Sequence, residues 1–204
     1  MANEKFRDVM DEFKKIGGMI WDRELNNSHS GNMSVRIGDR ILITRRGSML
    51  GFLKDSDIIE TGLERNDSGI SLTSTEVNVH RAIFLGTSCL AIVHTHPLTA
   101  TALSFVQDEI IAIDVEGSYY LRKIPILEFE FGTSSKEMEQ ELPKALKNYK
   151  IVMVRGHGAF AIGDFLEEAL QYSHILESIA RIVYMTKTLG GDLAKIQKGM
   201  YSTW

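Results

Sequence analysis

A chain of 204 residues with 23 Lys+Arg against 27 Asp+Glu and a formal net charge of −4 has no bulk electrostatic reason to bind nucleic acid or an anionic membrane surface. No apolar run reaches the roughly 20 residues of a membrane helix, and the start, Met1-Ala2-Asn3-Glu4-Lys5-Phe6-Arg7, lacks the apolar stretch of a signal peptide. The single cysteine, Cys89, excludes an intrachain disulfide and makes a reducing cytoplasm the expected setting.

With 44% hydrophobic and 25% charged residues and no linker or repeat, residues 1–204 are expected to form one α/β domain. Phe6, Val9, Met10, Phe13, Ile16, Met19 and Ile20 recur at helical spacing between Lys5 and Asp22. Met33, Val35 and Ile37 alternate with polar residues, and Gly38-Asp39 joins them to Ile41-Leu42-Ile43, a hairpin pattern. Thr73 to Leu85 reads as a helix stopped by Gly86, and Leu90 to Val93 as a buried strand. Further strands are expected at Ile110 to Val115, Ile124 to Phe129, Ile151 to Val154 and Ala159 to Ile162. Helices are expected at Ser134 to Tyr149 and at Leu166 to Leu189, the second ended by Gly190-Gly191. Short turns between neighbouring strands predict largely antiparallel pairing. The dinucleotide, Walker A and nucleophile-elbow sequences are all missing, so the common nucleotide and serine-hydrolase routes are unsupported.

The chemistry concentrates in histidines. His94-Thr95-His96-Pro97 follows an apolar strand, and residues two apart in extended backbone share a face, so both imidazoles can meet one ion. His157, between Gly156 and Gly158 after another strand, supplies a third imidazole on a tight turn. Three histidines with a remaining open or carboxylate position match a catalytic zinc centre better than a closed structural one. His174 reads as a packing residue of the long helix, and His29 lies in a polar loop near possible substrate contacts.

Glu76 has two readings. Thr73 with Glu76 three residues on fits a capping box; alternatively Glu76 is a general base, with Ser74, Thr75 and a helix N-terminus holding an anion. His80, one helical turn on, would orient the carboxylate or simply pack. Ser30-Gly31-Asn32 and Arg45-Arg46-Gly47-Ser48 offer small residues and free N–H groups suited to phosphate, or a solvated arginine pair.

Ser30-Gly31-Asn32-Met33-Ser34-Val35-Arg36, Ile43-Thr44 with Gly47, Ser74-Thr75-Glu76, His94-Thr95-His96 and Gly156-His157-Gly158 occur together in this order. In this the chain resembles the class II aldolase/adducin family, from about Phe6 to Tyr184. The resemblance implies a three-layer α/β/α fold around a largely antiparallel sheet, assembled as a homotetramer with active sites at subunit interfaces. It implies Zn²⁺ on His94, His96 and His157, Glu76 as acid/base, and Asn32, Gly47, Ser74 and Thr75 as holders of a substrate phosphate. The implied reaction is reversible cleavage of a small phosphorylated sugar, a ketose 1-phosphate, to dihydroxyacetone phosphate and a short aldehyde. Pentulose-phosphate 4-epimerases and methylthioribulose-phosphate dehydratases share the scaffold; an adducin-like interaction domain would lack the metal histidines. Two departures from the family pattern stand out. Asp114-Val115-Glu116-Gly117, followed by Tyr119 and Tyr120, occupies the place of a catalytic tyrosine, and Arg46 replaces a threonine of the phosphate loop. Tyr201 is a possible counterpart of a tail tyrosine.

Overall fold

The computed structural model describes residues 2–199, and Tyr201 lies outside them. Eight strands form one sheet: β1 (Asn32–Ile37), β2 (Arg40–Thr44), β3 (Ile58–Gly62), β4 (Ala91–Thr95), β5 (Glu109–Ile111), β6 (Lys123–Leu127), β7 (Ile151–Val154) and β8 (Gly158–Gly163). Their spatial order is β3-β2-β1-β4-β8-β7-β6-β5. Every neighbouring pair is antiparallel except β6–β7, whose crossover is made by the helix α5 (Lys136–Leu146).

Alternation along the strands assigns two cores. Met33, Leu42, Val93, Met153 and Ala161 face one side, where α1 (Ala2–Asp22), α3 (Leu98–Ser104) and α6 (Leu166–Thr188) bring Phe13, Ile16, Leu103, Leu176 and Ile179. Ile41, Ile43, Ile92, Val152 and Phe160 face the other, against Val79, Ile83 and Phe84 of α2 (Val77–Gly86) and Met138 and Leu142 of α5. The architecture is therefore the expected three-layer α/β/α, each large fully buried side chain contributing about 1.5–3 kcal/mol through burial. No described helix is long and apolar enough to cross a membrane.

Several elements depart from expectation. The helix expected from Thr73 begins at Val77, because the Thr73 hydroxyl donates to the Ile70 carbonyl at 2.8 Å instead of capping. The strand expected to reach Val115 stops at Ile111, since Asp114 caps α4 (Val115–Tyr120) by accepting the Gly117 N–H at 2.8 Å. Gly117 lets α4 lie on α6: a Cβ there would stand 2.5 Å from Ile179. The strand β3 and the helices α3, α4 and α7 (Leu193–Gly199) were not expected from the sequence.

Candidate active site

Strand geometry places the first two histidines. His94, at the end of β4, stacks its ring on Phe160 of β8, with centroids 4.0 Å apart and planes 12° off parallel. Its Nδ1 donates to the Ala159 carbonyl at 3.0 Å, which leaves the Nε2 lone pair turned inward. His96 lies on the same side, two residues on. Its backbone N–H is held by the Leu25 carbonyl at 2.9 Å and by Asn26 Oδ1 at 2.6 Å. Pro97 then starts α3, and no side chain of its own segment caps that helix. The cap comes from α6: Glu177 accepts the N–H of Thr99 and of Ala100 at 3.1 Å and the Thr99 hydroxyl at 2.6 Å.

His157 sits in the β7–β8 turn. Gly156 takes a positive φ of 68°, and its N–H donates to Ser104 Oγ at 2.9 Å. Gly158 has no room for a side chain: a Cβ would stand 2.4 Å from the Thr95 carbonyl oxygen, 2.7 Å from His96 and 3.0 Å from His94.

The three rings converge, with centroids 4.7–4.8 Å apart and one ligand nitrogen of each within 4.8 Å of the others. Burial drives the His94 imidazole well below its ordinary pKa and that of His96 to about 3, and burial also lowers His157. All three are therefore neutral, the protonation state that binds a metal ion. Glu76 closes the group. Its Oε2 lies 3.3 Å from His94 Nε2 and accepts the Asn32 amide at 2.8 Å, while its Oε1 is 4.0 Å from His157 Nε2. That Oε1 is buried with no hydrogen-bond partner. Three neutral imidazoles and a partly unsatisfied carboxylate are a donor set that fits a divalent cation such as Zn²⁺.

The carboxylate reaches this position because Glu76 directly precedes α2, where its own N–H donates to Ser74 Oγ at 3.2 Å. No capping box forms at Thr73, so that reading of Glu76 does not hold. His80 turns away as well: it pairs with Ser34 Oγ at 2.6 Å, tying α2 to β1, and burial lowers its pKa to about 4.

A cavity of about 260 Å³ opens on the group, lined by Asn32, Gly47, Ser74, Thr75, Glu76 and the three histidines. Its outer wall is two loops zipped together: Arg46 N–H donates to the Leu72 carbonyl at 2.9 Å and Ser74 N–H to that of Thr44 at 3.1 Å. Gly47 takes the turn with a φ of 68°. Arg45 anchors this wall through Asp57, with its Nε and Nη2 at 2.9 and 2.8 Å from Oδ1. Burial alone would raise the Asp57 carboxyl, but the Lys54 N–H and the Arg45 guanidinium pull it below the usual carboxylate range. A depressed folded-state value stabilises above the unfolded one, near pH 4, and is lost as pH falls through the folded value. Asp57→Asn is expected to lower the melting temperature by several degrees near neutral pH, from about 1–2 kcal/mol lost. Melting curves taken from pH 6 down to about pH 2 should show the gap between variant and parent closing.

All eight sequence-predicted site residues thus line one cavity, joined by His29, Arg45, Arg46 and Thr133. Thr133 had no signal in the sequence. Neither did Glu177, which acts across 78 residues of chain. His174 lies elsewhere, in a larger cleft of about 760 Å³ with Asp114, Glu116, Glu168 and Tyr172. That cleft offers less chemistry, because Glu168 already accepts the Asp164 N–H and the Tyr172 hydroxyl, both at 2.7 Å. Tyr119 and Tyr120 pack edge to face on α4, and among the described residues no tyrosine lines the histidine cavity.

The family model for the class II aldolase and adducin N-terminal domain matches residues 11–184. The chain belongs to the class II aldolase and adducin family, and within it to the enzymes, as a lyase of the aldolase kind. The L-fuculose phosphate aldolase of Methanocaldococcus jannaschii is 33% identical over 175 residues, covering 85% of this chain and 94% of the relative. That of Escherichia coli strain K12 is 33% identical over 196 residues, with 90% and 84% covered. The crystal structure of L-fuculose-1-phosphate aldolase from Thermus thermophilus matches with a TM-score of 0.85 at 31% identity, covering 89% of this chain and 95% of that one.

Proposed function

We propose that this chain is a Zn²⁺-dependent aldolase that reversibly splits a ketose 1-phosphate resembling L-fuculose 1-phosphate. The products are dihydroxyacetone phosphate and a short aldehyde such as lactaldehyde. The observation that carries this reading is the convergence of His94, His96 and His157 on a carboxylate, Glu76, with one oxygen left unpartnered inside a cavity walled by N–H and hydroxyl donors. In this reading residues 1–204 are one catalytic domain.

His94, His96 and His157 would hold the ion, which when bound supplies Lewis-acid stabilisation of the negative charge beside the substrate carbonyl. Asn32 fixes one Glu76 oxygen, so the other is free to move the substrate proton. In cleavage the electron pair of the breaking C–C bond ends on the carbon that Glu76 protonates. The hydroxyl on the departing carbon passes its proton to solvent and becomes the aldehyde oxygen, and the proton that Glu76 delivers to carbon is taken up from solvent, so no net proton is gained or lost. Gly47, Ser74 and Thr75, with Asn32 beside them, grip the phosphate and convert that remote binding into orientation of the reacting carbons. Exposed Leu98, Phe105 and Phe131 flank the site: Leu98 follows His96 by two residues, Phe105 lies against Gly156, and Phe131 precedes Thr133 by two. Such an apolar rim supports sites covered at subunit interfaces, which in this reading are those of a homotetramer working in the cytoplasm.

The test is dihydroxyacetone phosphate release from a panel of ketose 1-phosphates, before chelation, after it, and after zinc is restored. Release is expected to fall by more than about 100-fold on chelation and to return with zinc. Protein that retains zinc yet releases no triose phosphate from any ketose 1-phosphate would overturn the aldolase reading.

A further inference from the structure

Arg45 and Arg46 are neighbours in sequence with opposite fates. The Arg45 guanidinium is committed to Asp57 and to the Arg46 carbonyl, so its charge is neutralised and its fork is filled. The Arg46 backbone is fixed from both sides, its N–H by Leu72 and its carbonyl by Arg45. Its side chain is exposed, lines the cavity beside Gly47, and is paired with no carboxylate among the described residues. A rigid backbone thus presents one uncommitted guanidinium on the wall that carries Ser74 and Thr75.

The other donors on that wall are neutral hydroxyl and N–H groups. Neutral donors favour a dianion over a monoanion through their dipoles alone. A guanidinium adds a full charge and a planar fork that engages two oxygens at once, favouring the doubly charged form. We infer that Arg46 is the specificity-determining residue of the anion subsite, selecting the dianion of a phosphate monoester at the outer end of the substrate. This rests on the phosphate-binding reading given above.

The experiment uses the full, zinc-loaded chain and glycerol 3-phosphate, an unreactive phosphate monoester, titrated by calorimetry from pH 5 to 7.5. The ester loses its second proton near pH 6, so affinity for the parent should rise across that range. In Arg46→Thr the dissociation constant at the upper pH is expected to rise about 10- to 100-fold, and the pH dependence to flatten. Arg46→Lys, a point charge without the fork, should fall between the two. An unchanged melting temperature in Arg46→Thr checks the fold, because the side chain makes no hydrogen bond or ion pair among the described residues. In turnover the loss should appear mainly in KM. A dissociation constant and pH profile for Arg46→Thr matching the parent, with Ser74→Ala weakened, would overturn the inference and leave the aldolase reading intact. Weakened ester binding in Arg46→Thr with no triose phosphate release from the parent would sustain the inference while the aldolase reading fell.

Discussion

Replacing Glu76 by glutamine is expected to lower turnover by about 10²- to 10⁴-fold while the three histidines keep their metal. The substitution preserves volume and leaves an amide oxygen for Asn32 to donate to, so the fold has little reason to change. What it removes is the ability of the free oxygen to take up and return a proton. Turnover measured beside bound zinc separates this role from its rivals. If Glu76 served only to hold the ion, zinc content would drop with activity. If it served only the start of α2, stability would fall and turnover per folded molecule would not. Full turnover in a zinc-bearing Glu76→Gln protein would remove Glu76 from the proposed mechanism.

Gly158→Ala should damage the proposed metal centre while leaving all three histidines in place. The added methyl would press on the Thr95 carbonyl at 2.4 Å and on carbon atoms of His96 and His94 at 2.7 and 3.0 Å. The carbonyl belongs to the β4–β8 ladder and cannot swing aside as a long side chain would, so the imidazoles must shift or the strands part. Catalytic and ligating groups tolerate displacements of only about half an ångström before function suffers. The expected result is at least tenfold weaker zinc binding, of the size seen when supporting contacts around a metal are lost, with overpacking costing about 1–3 kcal/mol of stability. Competition with a zinc-binding dye and thermal melting report the two effects separately. Parental zinc affinity would show that the turn has more slack than its packing implies.

The legible parts of the site were those written in short-range pattern. A two-residue period puts His94 and His96 on one face whatever the rest of the chain does, and glycines on both sides of His157 announce a turn with no space to spare. Ser74-Thr75-Glu76 was ambiguous because a capping box and a catalytic carboxylate use the same residue types. Only the Thr73 hydroxyl, bonded backwards to Ile70, separates them. The missed elements have physical causes. The helix α3 is short and weakly helical in sequence, Leu98-Thr99-Ala100-Thr101-Ala102-Leu103-Ser104, with β-branched Thr99 and Thr101 inside it, and its cap comes from another helix. The strand β3 is a five-residue edge strand containing Glu60 and Gly62, with no clean alternation. The helix α4 is six residues long and contains a glycine. The mixed α/β character and the largely antiparallel pairing followed from the alternation and amphipathic periods and the three layers from the family resemblance, whereas the parallel β6–β7 pair depends on where α5 packs, which no local pattern records.

The bonds that hold the histidines have a bearing on how the chain folds. Glu177 reaches Thr99 across 78 residues, Asn26 reaches His96 across 70, and His94 reaches Ala159 across 65. Each is a distant closure that costs chain entropy before it returns any stability. During synthesis β4 emerges long before β8 and α6, so His94 and His96 leave the ribosome without the elements that aim them. The convergence of the three histidines is therefore among the last events of folding, and, with zinc as the proposed ion, its uptake by a refolding chain should follow the slowest folding step rather than precede it.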